Sequence, residues 1–220
     1  MNQTDYIVSI GKEALAGLPL VVYPAEITVV DSASLARSAL RALAKETIVG
    51  FDTETRPSFR KGQTHKVALM QISTAERCFL FRLNKIGISA ELKAFLENPD
   101  ITKIGLSVHD DFSVLRRSGE INPEGFIDLQ HIVKQYDITD ISLQKIYAII
   151  FGERISKSQR LSNWEAETLS DGQQAYAALD AWACLKIYNY LNEGCFDPKA
   201  SQYRHLREIV QEHTPHSTEN

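Results

Sequence analysis

The chain has 220 residues and a formal net charge of −4, and 44% of its residues are hydrophobic. This length suits one domain with extensions or at most two small ones, and the hydrophobic fraction is enough to bury a sizeable core. The acidic balance excludes binding of nucleic acid through overall charge, so any such binding must use a local patch or bound metal ions.

The three cysteines are odd in number and lack metal-site spacing. They favour a reducing compartment, and we expect a cytoplasmic protein. The polar N-terminal stretch MNQTDYIVSI predicts no signal peptide. No apolar run approaches the roughly 20 residues that span a bilayer, so the sequence predicts no membrane partner.

The pattern divides the chain into an N-terminal extension at 1–24, a domain at 25–195 and a polar tail at 196–220. Strands and helices alternate after an antiparallel hairpin, which is typical of an α/β fold with a mixed sheet. The predicted strands are Ile27–Val30, Ile48–Thr55, Val67–Ser73, Arg77–Leu83, Ile101–Val108 and a short strand or extended turn at Phe126–Leu129. The predicted helices run from Asp31 or Ser32 to Lys45 and over Ser89–Glu97, Asp110–Ser118, Gln130–Tyr136, Ser142–Gly152 and Asp171–Asn192.

The stretch IVGFDTET combines a buried strand with two acids. Side chains alternate along a strand, so Asp52 and Glu54 point the same way. Two neighbouring carboxylates at the end of a buried strand repel each other and lose hydration, and a divalent cation would relieve both costs. From this stretch alone, a pair of solvated surface acids is an equally good interpretation.

A loop at 56–66 follows directly and carries a cluster of cationic side chains, namely Arg56, Arg60, Lys61, His65 and Lys66. Such a loop is often only a solvated surface. Its position after two acids makes a phosphate-binding role an equally good interpretation.

Two further stretches supply acids next to predicted helices. Asp110 and Asp111 lie at a junction between strand and helix, where either could simply cap the helix. Tyr176 and Asp180 are four residues apart on the last predicted helix and therefore share one face. Taken alone, that pair is best explained by a tyrosine hydroxyl bonded to a carboxylate at the helix edge.

Together, these motifs resemble the DEDDy subgroup of the DEDD 3′–5′ exonucleases. The resemblance extends from about Ile27 to Leu191 and rests on FDTET at 51–55, KIGLSVHDDFSVL at 103–115 and YAALD at 176–180. The chain is most similar to the exonuclease domain of Werner-syndrome type and also resembles ribonuclease D. The resemblance implies a ribonuclease H-like fold, with a mixed β-sheet flanked by helices.

The resemblance also implies roles for individual residues. Four carboxylates would hold two metal ions, Mg²⁺ or Mn²⁺, and Tyr176 would position the attacking water; the carboxylates are those of Asp52, Glu54, Asp111 and Asp180. Asp111 is selected over Asp110 because the aspartate of the family lies six residues after the strand glycine, here Gly105.

The implied partner is the 3′ end of a nucleic acid, either single-stranded or at a recessed duplex end, and either DNA or RNA. Its terminal nucleotide and phosphates would contact Thr55, Arg56, Lys66, Met70 and Trp164. The expected activity is metal-dependent 3′–5′ hydrolysis that releases nucleoside 5′-monophosphates. The alternatives are a binding or scaffold domain of the same fold without catalysis, and a ribonuclease D-like enzyme that trims RNA 3′ ends.

Overall fold

The computed structural model describes residues 5–58, 60, 64–116 and 120–207. The strands are β1 (Tyr6–Val8), β2 (Glu26–Val30), β3 (Ile48–Thr55), β4 (Val67–Ser73), β5 (Arg77–Phe81), β6 (Thr102–Gly105), β7 (Phe126–Asp128) and β8 (Arg204–Leu206). The α-helices are α1 (Lys12–Ala16), α2 (Ala33–Leu43), α3 (Leu83–Ile86), α4 (Ala90–Leu96), α5 (Val108–Leu115), α6 (Leu129–Val133), α7 (Leu143–Phe151) and α8 (Asp171–Asn192). No helix in this part of the chain has both the length and the apolar content needed to cross a membrane.

Six strands form one mixed sheet in the order β2-β5-β4-β3-β6-β7. The predicted hairpin is confirmed, because β4 pairs antiparallel with both β3 and β5. The other three pairs, β2 with β5, β3 with β6 and β6 with β7, are parallel. This arrangement confirms the predicted α/β fold with a mixed sheet.

Alternation along the central strands gives the sheet two different faces. On one face, Phe51 and Met70 pack with the apolar sides of α2 and α4. On the other face, Leu69 and Leu80 pack with Ala177 and Ala178 of α8. Asp52 and Glu54 follow the alternation and therefore point to the α8 face.

Gly50 lets α8 lie very close to β3. A Cβ atom at this position would be 1.9 Å from the carbonyl oxygen of Ala181. Only glycine is compatible with this approach, and the contact places the middle of α8 against the strand that carries the two acids.

The predicted strand at Ile101–Val108 is too long. The strand ends at Gly105, and Ser107 takes a left-handed conformation with φ of 58° before α5 begins at Val108. The Ser107 N–H donates to Asp128 Oδ1 at 3.1 Å, a contact 21 residues away that holds the junction in place.

The N-terminal extension and the start of the tail meet in a separate two-stranded sheet. β1 pairs antiparallel with β8, and Tyr6 lies opposite Leu206. The sequence did not predict this pairing, because β8 is only three residues long and all three residues are exposed. The division of the chain into three regions stays a prediction.

Candidate active site

Three carboxylates converge where β3 meets α8. Oxygen atoms of Asp52, Glu54 and Asp180 all lie within 4.8 Å of one another. We call these three residues the acidic cluster. Asp52 and Glu54 are half-buried, and Asp180 is only 8% exposed.

The fourth predicted carboxylate reaches the cluster from α5. Asp111 is half-buried, and its Oδ1 accepts a hydrogen bond from the Thr53 hydroxyl. Its charge acts on both Asp52 and Glu54. Asp110 is exposed. The structure thus brings Asp111, and not its neighbour, into electrostatic contact with the cluster, although Asp111 stands outside the closest group of three.

Burial and mutual repulsion favour protons on these acids. Burial raises the pKa of Asp52 well above its ordinary value, and the charges of Asp180, Asp111 and Glu54 raise it further. Burial, with the charges of Asp180 and Asp111, raises the pKa of Glu54 to about 9. Ionising all four acids of this site at once therefore costs free energy unless positive charge is added.

The other two acids have donors that partly offset their burial. Burial raises the pKa of Asp111 to about 7, against the lowering effect of the Thr53 hydroxyl. Burial also raises the pKa of Asp180 to about 7, against the lowering effects of the Tyr176 hydroxyl and of Lys157.

The acidic cluster fits a divalent cation. Carboxylate oxygens are the ligands that hard cations such as Mg²⁺ and Mn²⁺ prefer, and closely spaced acids with raised pKa values are stabilised when a cation replaces their protons. Within the described residues, this is the only cluster of three or more potential metal ligands that converge so closely.

Tyr176 lies one turn before Asp180 on α8. Its hydroxyl is hydrogen-bonded to the Asp180 carboxylate, and burial raises its pKa above the ordinary value, with the charges of Asp180, Glu54 and Asp52 adding to the rise. Its ring packs 6.0 Å from the ring of Trp164. The phenol is therefore held neutral beside the cluster as a hydrogen-bond donor.

Met70 and Trp164, two of the predicted nucleotide contacts, lie in the core. Both side chains are 0% exposed. In this conformation they offer no surface to a base, so the structure does not support direct contact. Trp164 instead packs against Tyr176 and supports its position.

The remaining predicted contacts lie at the rim. Thr55 ends β3 and is half-buried. Arg56 is exposed and pairs with Glu165 at 3.2 Å. Lys66 lines a cavity of about 400 Å³ beside the start of β4, together with Glu165. Lys61, another cation of this loop, lies outside the described residues.

Sequence reasoning missed two residues that organise the site. Thr53 stands between the two acids of FDTET and binds Asp111, a role that its place inside the motif could have suggested. Glu165 pairs with Arg56 and lies 3.7 Å from His65, and no local pattern indicates this pairing across more than 100 residues.

Known proteins share this sequence pattern. Residues 27–194 match the model of the 3′-5′ exonuclease family. The chain is 32% identical over 184 residues to the mouse bifunctional 3′-5′ exonuclease/ATP-dependent helicase WRN. This match covers 79% of this chain and 13% of that protein. It is 29% identical over 152 residues to ribonuclease D of Haemophilus influenzae, and this match covers 68% of this chain and 37% of that protein. The chain thus spans less than half the length of either relative.

The fold is also shared with a solved structure. The crystal structure of Escherichia coli RNase D, described as an exoribonuclease involved in structured RNA processing, matches with a TM-score of 0.68 at 24% identity. The match covers 76% of this chain and 44% of that chain. This likeness confirms the predicted ribonuclease H-like arrangement of a mixed sheet and flanking helices.

Proposed function

This chain belongs to the 3′–5′ exonuclease family, and we propose that it hydrolyses the last phosphodiester bond at the 3′ end of a nucleic acid and releases nucleoside 5′-monophosphates. The observation that carries the proposal is the convergence of Asp52, Glu54 and Asp180 within 4.8 Å, with Asp111 and Tyr176 beside them. An inactive scaffold would have no need to keep four costly acids in one cleft.

In the reaction, water adds to the phosphorus atom and the bond to the 3′ oxygen of the penultimate nucleotide breaks. That oxygen takes up a proton and becomes the new 3′ hydroxyl. Two divalent cations, Mg²⁺ or Mn²⁺, would supply positive charge for the phosphate and for activation of water. Asp52, Glu54, Asp111 and Asp180 are the residues that would hold them.

Tyr176 contributes a fixed donor. Because its pKa is raised, the phenol stays protonated at neutral pH, so the phenolate that could act as a base is not available. Its contact with Asp180 fixes the hydroxyl at the edge of the cluster, where it can orient a water molecule for attack.

Cations on the neighbouring loops supply contacts for phosphates. Lys157 is exposed, yet its charge reaches Asp180, so it lies near the cleft. Arg56 and Lys66 lie on the loop that follows β3. Such contacts position a strand without reading its sequence.

The substrate class follows from the relatives only in part. The similar E. coli RNase D acts on RNA, as its description says, whereas the similar mouse protein is described as an exonuclease joined to a helicase. We therefore propose single-stranded or recessed 3′ ends of DNA or RNA as substrates. An RNA-trimming role is favoured if RNA is degraded much faster than DNA.

The test is an assay with 5′-labelled single-stranded DNA, single-stranded RNA and a recessed duplex, each with Mg²⁺, with Mn²⁺ and with excess chelator. We expect a ladder that shortens from the 3′ end and mononucleotide products, and we expect both to be lost in chelator. Binding of every substrate without cleavage in either metal would instead mark a scaffold domain. Unchanged cleavage in chelator would reject the metal-dependent mechanism.

Neighbouring aspartates offer a matched pair of variants for the same assay. Asp111→Asn should abolish cleavage, because it replaces one of the four carboxylates proposed to hold the metal ions by a neutral amide. Asp110→Asn should retain activity close to that of the wild type, because the Asp110 side chain is exposed and affects Asp111 only through its charge. The reverse result would assign the metal ligand to Asp110.

A further inference from the structure

Gln71, in the middle of β4, has an unusual environment. Its side chain is 0% exposed, and neither Nε2 nor Oε1 has a hydrogen-bond partner. A buried amide without partners bears the cost of its lost hydration, and native proteins rarely leave such groups unpaired. A second arrangement in which the amide is satisfied is therefore expected.

The strand register places Gln71 against the acidic cluster. Gln71 lies directly opposite Asp52 on β3 and directly opposite Leu80 on β5. Opposed residues in an antiparallel pair share a face, with Cβ atoms about 4.5–5.5 Å apart. Leu69 and Leu80 pack with α8, so Gln71 has apolar neighbours along its own strand and on β5, and a carboxylate on β3.

Within the described part of the chain, Asp52 lacks the side-chain donor that Asp111 and Asp180 each have. Asp111 accepts a hydrogen bond from the Thr53 hydroxyl, and Asp180 is bonded to Tyr176. Among the described residues, no side chain donates to Asp52, whose hydrogen bond comes from the backbone of Thr53. The unpaired Gln71 amide on β4 therefore lies opposite the Asp52 carboxylate on β3, which has no side-chain donor from the described residues.

We propose that Gln71 is a positioning residue of the metal site: when the ions bind, its Nε2 amide donates to the Asp52 carboxylate and holds that carboxylate in the orientation that ligates them. The inference rests on the proposed function, since it requires Asp52 to be a ligand. The proposed contact requires a rotation about the Gln71 side-chain bonds and no change in strand pairing, because Gln71 already lies opposite Asp52. Such outer contacts orient ligands and raise metal affinity.

The experiment measures Mn²⁺ binding to the full chain by titration calorimetry, together with the melting temperature in chelator. Gln71→Met keeps the length of the side chain and removes both polar atoms. We expect Mn²⁺ affinity to fall by about 10–100-fold. The metal-free melting temperature should equal or exceed that of the wild type, because an unpaired buried amide has been removed.

Gln144→Met is the matched control. Gln144 is a half-buried glutamine on α7, and its Nε2 donates to the Ile155 carbonyl at 2.5 Å. This variant should melt below the wild type, because a formed hydrogen bond is lost, and should bind Mn²⁺ normally. The two glutamines are therefore expected to show opposite patterns of stability and metal affinity.

Mn²⁺ affinity of folded Gln71→Met within twofold of the wild type would overturn the inference. Wild-type protein that binds no Mn²⁺ would overturn the proposed function and this inference together, so the two failures are distinguishable. If Gln71→Met does not fold, the side-chain amide signals of Gln71 are followed by NMR in the ¹⁵N-labelled wild type. They should shift when Mg²⁺ is added, and unchanged signals would overturn the inference.

Discussion

Tyr176 and Asp180 are coupled by a direct hydrogen bond between their side chains. They share a face of α8, and the tyrosine hydroxyl is bonded to the carboxylate. Burial raises the pKa of this phenol, so over an assay range from about pH 6 to 9 it stays protonated and adds no limb to the pH–rate profile. The hydroxyl can therefore contribute as a donor, and the ring by packing against Trp164.

Tyr176→Phe separates these two contributions, because it removes only the hydroxyl. We expect kcat to fall by about 10–10³-fold, or about 1.4–4 kcal/mol, the range for one oriented contact in the transition state. Mn²⁺ affinity and KM should stay close to wild type. Single-turnover rates at saturating Mn²⁺ check this, with Tyr188→Phe on the same helix as the control. A wild-type rate for Tyr176→Phe would leave the residue with a packing role only.

The contact between β3 and α8 sets the relative positions of the acids that these two elements carry. Both elements carry members of the acidic cluster, and Gly50 is the point at which they touch. The position of Asp180 relative to Asp52 therefore depends on the absence of a single methyl group.

Gly50→Ala should displace α8 from the sheet. The new Cβ would lie 1.9 Å from the Ala181 carbonyl oxygen and 2.8 Å from its carbon, and neither backbone atom can move aside alone. We expect the free energy of unfolding to fall by about 3 kcal/mol or more, and we expect Mn²⁺ affinity to fall as well. Urea unfolding and Mn²⁺ titration measure the two effects.

Gly172→Ala is the control on the same helix. Its nearest neighbour would be Gln159 Nε2 at 3.5 Å, an ordinary contact. Helix propensity predicts a gain of up to about 1 kcal/mol. Wild-type stability and metal affinity for Gly50→Ala would contradict the proposed role of this contact.

Elements with strong local signals could be predicted from the sequence. β3, β4 and α8 have the predicted bounds, because each combines a clear hydrophobic pattern with turn or capping residues. The alternation along β3 also placed Asp52 and Glu54 on one face. Order along the chain, with the family resemblance, then pointed to Asp180 and Tyr176.

Features that depend on distant contacts could not be predicted in this way. The end of β6 depends on the left-handed Ser107, which is held by Asp128 on another strand. The pairing of β1 with β8 joins the two ends of the described chain. The burial of Met70 and Trp164 depends on which elements cover them, so their apolar character alone could not distinguish core from binding surface.

Negative charge links the stability of the whole protein to pH and to metal binding. The protein has a net charge of −4 and also gathers four acids in one partly buried cleft. Metal-free folding must therefore keep protons on acids that are ionised in the unfolded chain at neutral pH. Stability, metal binding and pH are coupled as a result.

The coupling predicts that metal-free protein loses stability as pH rises. Unfolded carboxyls release their protons near pH 4, whereas the folded pKa values are about 7 for Asp111 and Asp180 and about 9 for Glu54. Between these limits the folded state binds more protons than the unfolded state. The free energy of unfolding therefore falls with pH, by up to about 1.4 kcal/mol per pH unit for each acid that stays protonated.

Melting temperatures in chelator between pH 5.5 and 8.5 measure this effect. We expect a steady fall for the wild type and a shallower one for Glu54→Gln, because that variant removes the acid whose pKa is raised to about 9 and keeps its side-chain volume. Saturating Mn²⁺ should restore stability most strongly at pH 8.5, where the ligands are most readily ionised. A metal-free melting temperature that rises over this range, or an equal slope in Glu54→Gln, would show that the acids of the cleft are not the groups that couple stability to pH.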